Sequence, residues 1–278
     1  MEKVRIAKFI AGNSEYSRRK VESLIFDGEV KVNGKVVEEP SIKVSVEDKI
    51  VIEGSVLKVS MDEQREEKIF AFYKPTGCIC SKKDEKGRKT IYDVIADSSV
   101  GKKILKENSN LLYVGRLDFN TEGILLMTNS GDLKNKLEHP SAKLERVYRV
   151  KVFSKKKLDD KDLNPLRKGI SFKDKKTGKK VSYSPFDVKI IDYVEEDVVR
   201  YNKGKKIVTK NSFNKGDGKS VWCEVRIFEG KNREIRNAFE QIGFVVSKLS
   251  RLSYGPYNLE GLKRGEIIKR PVVKSLVR

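Results

Sequence analysis

The chain has 278 residues, of which 60 are lysine or arginine and 40 are aspartate or glutamate, so its formal net charge is +20. The length predicts about two domains, and the excess positive charge favours a polyanionic partner. The single histidine, His139, excludes a site that needs two imidazoles, and the three cysteines exclude a disulfide framework and a four-thiolate metal site. No apolar run has the length of a membrane span or the pattern of a signal peptide, so we expect a cytoplasmic protein with no membrane partner.

The positive charge is distributed unevenly along the chain. Residues 1–60 carry 11 basic and 10 acidic side chains, so nearly all of the surplus lies after residue 60. Three stretches hold most of it, residues 154–181, 203–219 and 261–278. Runs of this kind are commonly solvated loops or tails, and we expect flexibility in residues 203–219. Their lysines can still neutralise phosphates.

Two helices and a small sheet are predicted within residues 1–60. Residues 4–12 place their apolar side chains on one helical stripe, and a second helix is predicted over 18–27, with Ser17 as its N-cap and Gly28 at its end. The apolar period then changes to two around Asn33-Gly34, which predicts a hairpin. Another strand pair is predicted at 50–52 and 56–59. Residues 61–68 have almost no apolar side chains and are predicted to form a linker.

The segment VRIAKFIAGNSEYSRRKVESLIFDGEVKVNGKVV contains, in order, a cationic corner, a helix and a Gly-x-Val-x-Val-Asn-Gly hairpin. This order resembles the small RNA-binding domain of the ribosomal protein S-four type. The corner holds Arg18, Arg19 and Lys20, three cations at a helix N-terminus, where the helix dipole disfavours them. A bound RNA phosphate would relieve this repulsion, so these residues are candidate RNA contacts. The alternative is a solvated helix end.

Strands dominate the predicted elements after residue 68. The apolar patterns predict strands at 69–73, 111–114, 124–127, 146–153, 186–192 and 221–228, and one helix over 233–242. Because helices are the minority, the pattern favours an α+β domain built on a large, mostly antiparallel mixed sheet. The expected organisation is a small N-terminal α/β RNA-binding domain over 1–60, a linker over 61–68 and a larger catalytic domain over 69–278.

The most unusual local sequence is VGRLDFNTEGILLMTNSGDL, residues 114–133. It sets Asp118 in a glycine-bounded loop between two predicted strands, with Arg116 two positions earlier. An aspartate in a loop is most often a turn former, whose carboxylate accepts a hydrogen bond from a nearby backbone N–H. Spacing alone therefore favours the turn-forming role for Asp118.

Four separated motifs change this interpretation: FAFYKPTGCICS, GRLDFNTEGILLMTN, RVYRVKV and EGKNREIRNAFEQIGFVVSKLSRLSYG. In this order they resemble the first strand and turn, the catalytic loop, the tyrosine segment and the arginine segment of ribosomal RNA pseudouridine synthases of the RsuA/RluB family. The resemblance extends from about residue 4 to residue 268. It implies the pseudouridine synthase fold and the isomerisation of uridine to pseudouridine. Because uridine and pseudouridine are isomers and the reaction includes no net oxidation or reduction, we expect neither a redox cofactor nor a metal.

The resemblance also implies roles for individual residues. Asp118 matches the essential aspartate that acts on the anomeric carbon of the target ribose, either as a nucleophile or by assisting loss of the base through a glycal. Tyr148 matches the active-site tyrosine, whose ring can stack on uracil. Arg236 matches the basic residue that pairs with the aspartate, and Arg233 is its nearby competitor. Arg116 matches the residue that occupies the gap left by the flipped nucleotide.

Three further residues and one insertion are less specific signals. Lys74 and Arg251 are candidates only for RNA contacts. His139, in Glu-His-Pro after a predicted helix, is expected to have a capping or surface role rather than a catalytic one. Residues 195–219 resemble a lysine-rich insertion in the family pattern, which either enlarges the RNA footprint or reflects a lysine-favouring genome.

The leading hypothesis is a monomeric cytoplasmic enzyme that converts a specific uridine of ribosomal RNA to pseudouridine, with ribosomal RNA or a pre-ribosomal particle as its partner and no obligate protein partner. The arginine segment favours large-subunit 23S RNA, and small-subunit 16S RNA is the alternative. A different hypothesis is a non-catalytic RNA-binding protein of ribosome assembly that kept the fold. Its sequence signature would be loss of the aspartate, the tyrosine or the arginine, and all three are present here.

Overall fold

The computed structural model describes residues 3–14, 16–57, 66–154, 156, 158–175, 177–192, 198–202, 205–209 and 220–273. Most of the predicted linker and most of the lysine-rich insertion therefore lie outside the described residues. Within the described ranges, no helix is both long enough and apolar enough to cross a membrane.

The N-terminal unit has two helices and six short strands. Their bounds are β1 Val4–Arg5, α1 Ile6–Asn13, α2 Arg18–Phe26, β2 Val30–Val32, β3 Lys35–Val36, β4 Lys43–Val44, β5 Ile50–Ile52 and β6 Ser55–Val56. Strands β3, β2, β5 and β6 form one antiparallel sheet, and β1 pairs with β4. The apolar faces of α1 and α2 pack on this sheet in a core of their own, around Ile6, Ile10, Val21 and Ile50.

Local sequence determines these N-terminal elements as predicted. Ser17 caps α2, since its Oγ accepts a hydrogen bond from Lys20 N at 3.2 Å. Asn33 and Gly34 have φ of 51° and 83°, the left-handed pair that a two-residue hairpin turn requires. The three cations at the start of α2 have exposed side chains: Arg18, Arg19 and Lys20.

The second unit is larger and consists mainly of strands. Its bounds are β7 Ile69–Lys74, α3 Ile91–Ala96, α4 Ser99–Glu107, β8 Leu112–Val114, β9 Glu122–Thr128, α5 Gly131–Glu138, β10 Arg146–Phe153, α6 Asn164–Arg167, β11 Ile170–Lys173, β12 Lys180–Tyr183, β13 Asp187–Ile191, β14 Val198–Asn202, β15 Lys205–Thr209, β16 Ser220–Ile227, α7 Glu234–Gln241, β17 Val245–Tyr254, β18 Tyr257–Asn258 and β19 Ile267–Arg270. Short 3₁₀ helices cover Pro140–Ala142 and Asp160–Leu163.

A nine-stranded mixed sheet organises this unit. Seven strands follow the order β13-β16-β10-β17-β9-β7-β19, while β8 joins β9 and β18 joins β17. All the pairs are antiparallel except β9 with β17. The predicted α+β class and the large, mostly antiparallel sheet are confirmed.

The central strand β9 is buried on both faces. Leu125 and Met127 belong to the core that α3 and α7 cover, whereas Ile124 and Leu126 belong to the core on the other face, which α5 covers. A strand buried on both faces is expected to be apolar at successive positions, and the run Ile-Leu-Leu-Met has this pattern. The loop that precedes β9 is thereby attached to the most buried strand of the sheet.

The sequence patterns missed several elements. Helices α3 and α4 and strands β11, β12, β17 and β19 were not among the predicted elements. The ten residues of β17 alternate charged, polar and apolar side chains without a clear period, because this strand crosses the sheet with two register irregularities against β10. Its position was fixed by long-range pairing rather than by its own pattern.

The parallel step between β9 and β17 depends on one glycine. Gly123 is opposite Arg251 in the register and has φ of 118°. A Cβ at this position would lie 2.2 Å from the carbonyl oxygen and 2.5 Å from the nitrogen of Arg251. Only a residue without a Cβ permits the two backbones to approach in this way.

We expect Gly123→Ala to lower the free energy of unfolding by roughly 3 kcal/mol or more, because it combines a backbone overlap with a strained φ. Urea unfolding monitored by circular dichroism measures the effect. Gly12→Ala in α1 is the control, since a Cβ there meets no atom within 4 Å and alanine favours helix by up to about 1 kcal/mol. Equal stability of the two variants would show that the β9 to β17 contact is not as close as described.

Candidate active site

Asp118 lies in the loop between β8 and β9, which spans residues 115–121. The chain turns out of β8 at Gly115, which has φ of 63°, and the Gly115 N–H donates to Glu138 Oε1 at 2.6 Å. Within the loop, Thr121 N donates to Asp118 O at 3.0 Å and closes a turn. Asp118 therefore lies in a turn, as the spacing favoured. The hydrogen bond that closes the turn is accepted by the backbone carbonyl of Asp118, and its carboxylate takes no part in it.

Every carbonyl from Leu117 to Thr121 accepts a hydrogen bond from a donor outside the loop. Cys80 Sγ donates to Leu117 O at 3.4 Å, and Gly77 N donates to Phe119 O at 2.9 Å. Arg236 Nη2 donates to Asn120 O at 2.9 Å, while Lys74 Nζ donates to Asp118 O and Thr121 O at 3.1 and 2.9 Å. Donors from two separate segments, residues 74–80 and helix α7, therefore fix the backbone on both sides of Asp118.

Lys74 is the central donor of this arrangement. It is fully buried, and its ammonium also donates to Pro75 O at 3.0 Å. Burial lowers the pKa of Lys74, while the nearby Cys78, Cys80 and Asp118 act in the opposite direction. The predicted RNA contact of Lys74 is therefore wrong, because all three ammonium donors are directed at backbone carbonyls and the side chain does not reach the surface.

Two guanidinium groups face the carboxylate of Asp118. Arg233 Nη1 lies 3.5 Å from Oδ2, and Arg236 Nε lies 3.9 Å from the same oxygen. Both candidates from the sequence are thus at the aspartate, with Arg233 the nearer. They differ in burial, since the side chain of Arg233 is 52% exposed and that of Arg236 is 12% exposed.

The two arginines are also held differently. Arg236 lies on the first turns of α7, and its Nη1 donates to Val246 O at 2.9 Å. Burial, and then the charge of Arg233, lower the pKa of Arg236, while Asp118 opposes this. Arg233 precedes α7 in the left-handed conformation, with φ of 51°. This conformation is uncommon for a residue with a side chain, so other contacts must maintain it.

A cavity of about 860 Å³ opens beside Asp118. Tyr148 from β10 forms part of its wall and is 7% exposed. Leu117, Ile235 and Leu249 add apolar surface, and Arg116 is exposed at the loop that borders the cavity. Such a space fits one flat polar ring between an aromatic and aliphatic side chains, with a carboxylate and two guanidiniums at one side.

Arg251 lies in the wall of the same cavity but is only 2% exposed. Its Nε donates to Ile124 O at 2.8 Å, and its guanidinium lies 5.0 Å from the ring centre of Tyr254. Arg146 packs on the same ring at 4.6 Å and donates to Tyr254 Oη at 2.9 Å. The side chain of Arg251 thus ties β17 to β9, and its predicted RNA contact stays a prediction, since the residue also lies in the cavity wall.

The remaining sequence signals have structural roles. His139 lies between α5 and the following 3₁₀ helix, where its Nδ1 accepts from Ser141 N at 3.3 Å, so the expected capping role is confirmed. Cys80 was not singled out by the sequence, although its Sγ contacts both the N–H and the carbonyl of Leu117. Over the described ranges, no cluster of three or more histidine, cysteine, aspartate or glutamate side chains could hold a metal ion.

Comparison with known families agrees with this geometry. A family model described as RNA pseudouridylate synthase matches residues 68–241, and an S4 domain model matches residues 4–50. The chain belongs to the RNA pseudouridylate synthase family. It is thus an RNA pseudouridine synthase with an S4 RNA-binding domain, and the resemblance found in its motifs is confirmed.

Similar proteins cover nearly the whole enzyme. It is 37% identical over 264 residues to a ribosomal large subunit pseudouridine synthase B from Bacillus subtilis, covering 94% of this chain and 90% of that one. It is 33% identical over 263 residues to a protein of the same name from Yersinia pestis, covering 94% and 70%, and 35% identical over 274 residues to an uncharacterized RNA pseudouridine synthase from Rickettsia bellii, covering 99% of both. A crystal structure of a pseudouridylate synthase shares its fold, with a TM-score of 0.56 and 24% identity over 98% of this chain and 97% of that one.

We expect Lys74→Met to lower the free energy of unfolding by roughly 3 kcal/mol, because three carbonyls lose a buried donor. Turnover on RNA should fall as well, since the backbone at Asp118 is no longer held. Urea unfolding and a turnover assay measure the two effects. Lys83→Met is the matched control, because Lys83 follows the same strand and is exposed. A Lys74→Met enzyme with unchanged stability and turnover would contradict the assigned role of the ammonium.

Proposed function

We propose that this enzyme isomerises a specific uridine of ribosomal RNA, with large-subunit RNA as the favoured substrate and Asp118 as the catalytic residue. The observation that carries the proposal is the rigid loop that presents the Asp118 carboxylate to a cavity, opposite Arg233, Arg236 and Tyr148. The choice of RNA is supported by the names of similar proteins, two of which are ribosomal large subunit enzymes.

The reaction breaks the bond between uracil N1 and ribose C1′ and forms a bond from uracil C5 to the same carbon. The proton on C5 is lost and N1 gains one, so the atoms balance without a second substrate. Asp118 has two possible roles: its carboxylate attacks C1′ and forms a sugar ester, or it removes the C2′ proton as the base leaves and a glycal forms. In both routes an ionised, well-oriented carboxylate faces a sugar that develops positive charge.

The groups around Asp118 have distinct tasks in this proposal. Arg236, which is largely buried, lies beside the carboxylate and fixes its direction. Arg233 lies nearer to Oδ2 of Asp118 and is more exposed. Its positive charge compensates the negative charge of the carboxylate while the carboxylate approaches the sugar. Tyr148 stacks on the detached uracil and keeps it in the cavity while it turns. These tasks require the base to remain enclosed, which the apolar wall of Leu117, Ile235 and Leu249 favours.

Access to the target also needs base flipping. A uridine within a stem is inaccessible to Asp118, and extruding it costs a few kcal/mol of stacking. Arg116 lies at the rim of the cavity, two residues from Asp118, and is exposed. A planar guanidinium in this place can enter the vacated stack and hydrogen-bond to neighbouring bases.

The S4 domain is proposed to recognise the RNA around the target. Its Arg18, Arg19 and Lys20 are exposed at the N-terminus of α2, where backbone N–H groups and cations can bind a phosphate together. A ribosomal RNA substrate would place the enzyme where ribosomes assemble, so the proposal includes a cytoplasmic location. It also includes the monomeric state expected from the sequence.

Asp118→Asn is expected to abolish pseudouridine formation, because the amide is neither a nucleophile nor a base. Chemical mapping of pseudouridine in both ribosomal RNAs, from cells that lack the protein and are complemented with each variant, measures the effect. Asp192→Asn is the control, since Asp192 is exposed and lies outside the cavity. A lost site in 16S rather than 23S RNA would correct the substrate. If deletion removes no site in either RNA, the non-catalytic alternative is favoured.

Arg116→Ala is expected to reduce turnover on a folded stem by roughly tenfold or more, while binding is mostly retained, because the flipped state loses its replacement partner. On an unstructured RNA with the same target sequence, turnover should change little. Single-turnover assays on the two RNAs and a binding titration separate these effects. Equal turnover of the variant and the original enzyme on the folded stem would contradict the flipping role.

A further inference from the structure

Two glutamates lie at the ends of the loop that carries Arg233. The loop joins β16 to α7 and covers residues 228–233. Glu229 is in its first part and Glu234 begins α7, and the two carboxyl groups interact electrostatically with each other. We refer to Glu229 and Glu234 as the carboxyl pair. Both glutamates lie in the wall of the cavity beside Asp118, but the ion pairs of Asp118 are with Arg233 and Arg236.

The carboxyl pair connects the loop to a neighbouring hairpin. Glu229 Oε1 accepts from Ser184 N at 2.7 Å, and its Oε2 lies 2.7 Å from Lys231 Nζ. The same Lys231 ammonium donates to Ser182 O at 2.8 Å. Since Ser182 lies in β12, these contacts attach the loop to the β11–β12 hairpin, while Arg146 Nη1 of the main sheet donates to Phe228 O at its start at 2.6 Å.

Glu234 holds the loop from the other end. It is 3% exposed, although it is a glutamate in the first turn of a helix. Its Oε2 accepts from Lys231 N at 2.9 Å, and its own N–H donates back to Lys231 O at 3.3 Å. The two residues between these contacts, Asn232 and Arg233, are therefore enclosed in a short closed turn. Arg233 adopts its left-handed conformation inside this turn.

Two interacting carboxyl groups do not both ionise readily. Burial, and then the interaction with Glu229, raise the pKa of Glu234 to about 8. Burial would also raise the pKa of Glu229, but Glu234, Lys231 and the Ser184 N–H outweigh it and bring it to about 2. Near neutral pH the pair thus shares one proton, held on Glu234.

The other titratable groups that face the pair are few in the described part of the chain. Lys231 lies on the same loop and interacts with both carboxyl groups. Tyr183 faces them from β12, where burial raises its pKa and the charge of Glu234 acts in the same direction. None of these groups can replace the shared proton, so a second ionisation leaves the buried carboxylate of Glu234 beside the partly exposed carboxylate of Glu229, and the two repel each other.

We propose that the carboxyl pair positions Arg233 beside Asp118, which makes Glu234 a positioning residue of the reaction. This inference rests on the proposed function of Asp118. Loss of the shared proton, or of the Glu234 side chain, opens the closed turn. Arg233 then leaves the strained conformation that brings its Nη1 to 3.5 Å from Asp118. Tyr148 in the cavity wall and Arg236 at Asp118 keep their places, because both lie outside the closed turn and Arg236 donates to Val246 O.

The test is the pH profile of kcat for the full chain and two substitutions at Glu234. For the original enzyme, kcat at pH 9 should fall to about a tenth of its value at pH 7, given a pKa of about 8. Glu234→Gln keeps an acceptor for Lys231 N and a donor for Glu229 at every pH, so its kcat should stay within about twofold at pH 7 and lose the alkaline decline. Glu234→Ala should lower kcat about tenfold at pH 7.

A double-substitution cycle separates positioning from general destabilisation. If Glu234 acts through Arg233, then Arg233→Ala combined with Glu234→Ala should be no slower than Arg233→Ala by itself. Glu240→Gln and Glu240→Ala are matched controls, because Glu240 is an exposed glutamate on the same helix. Should Glu234→Ala fail to fold, the profile of Glu234→Gln still decides the question.

Two results would overturn the inference: the same alkaline decline in Glu234→Gln as in the original enzyme, or additive losses in the double-substitution cycle. Either leaves the proposed function standing, because the original enzyme is active in both. Absence of pseudouridine formation by the original enzyme on any ribosomal RNA removes the proposed function instead, and the inference with it.

Discussion

The Lys74 ammonium, buried between β7 and the loop of Asp118, is the interaction on which the site depends. A buried cation is costly unless its donors are satisfied, and here all three are used by the carbonyls of Pro75, Asp118 and Thr121. Because carbonyl dipoles rather than a carboxylate neutralise it, the ammonium does not compete with Arg233 and Arg236 for the Asp118 side chain. The charge of Lys74 thus orders the backbone and leaves the carboxylate to face the cavity.

The sheet brings distant parts of the chain to this loop. The single parallel step, β9 with β17, places Arg251 opposite Gly123 and next to Tyr148 in the register of β10. Helix α7 precedes β17 by a short connection, so the same step sets Arg236 above the loop, where it donates to Asn120 O. The segments around residues 118, 148 and 236 are more than 25 residues apart in the chain. They meet because Gly123 allows the backbones of β9 and β17 to touch.

Sequence patterns predicted local elements and exposed motifs better than buried connections. The capped helix α2, the Asn33-Gly34 turn and the strand over 146–153 follow from short-range rules, and the structure has them at nearly the predicted bounds. Lys74 and Arg251 were predicted only as candidate RNA contacts, a role that exposed lysines and arginines usually have. Their burial depends on carbonyl groups contributed by residues about 40 to 130 positions away. Cys80 escaped notice for the same reason, since its only signal is a contact with Leu117.

The burial of these cations changes what the net charge of +20 means. Lys74, Arg146 and Arg251 are each less than 10% exposed and donate to backbone carbonyls or a tyrosine hydroxyl, so they cannot displace counterions from RNA. Counterion release depends on the cations that reach phosphates, a role proposed for those at the start of α2. The salt dependence of RNA binding therefore reports the exposed cations only. Total charge overestimates RNA attraction because part of it serves to build the candidate site around Asp118.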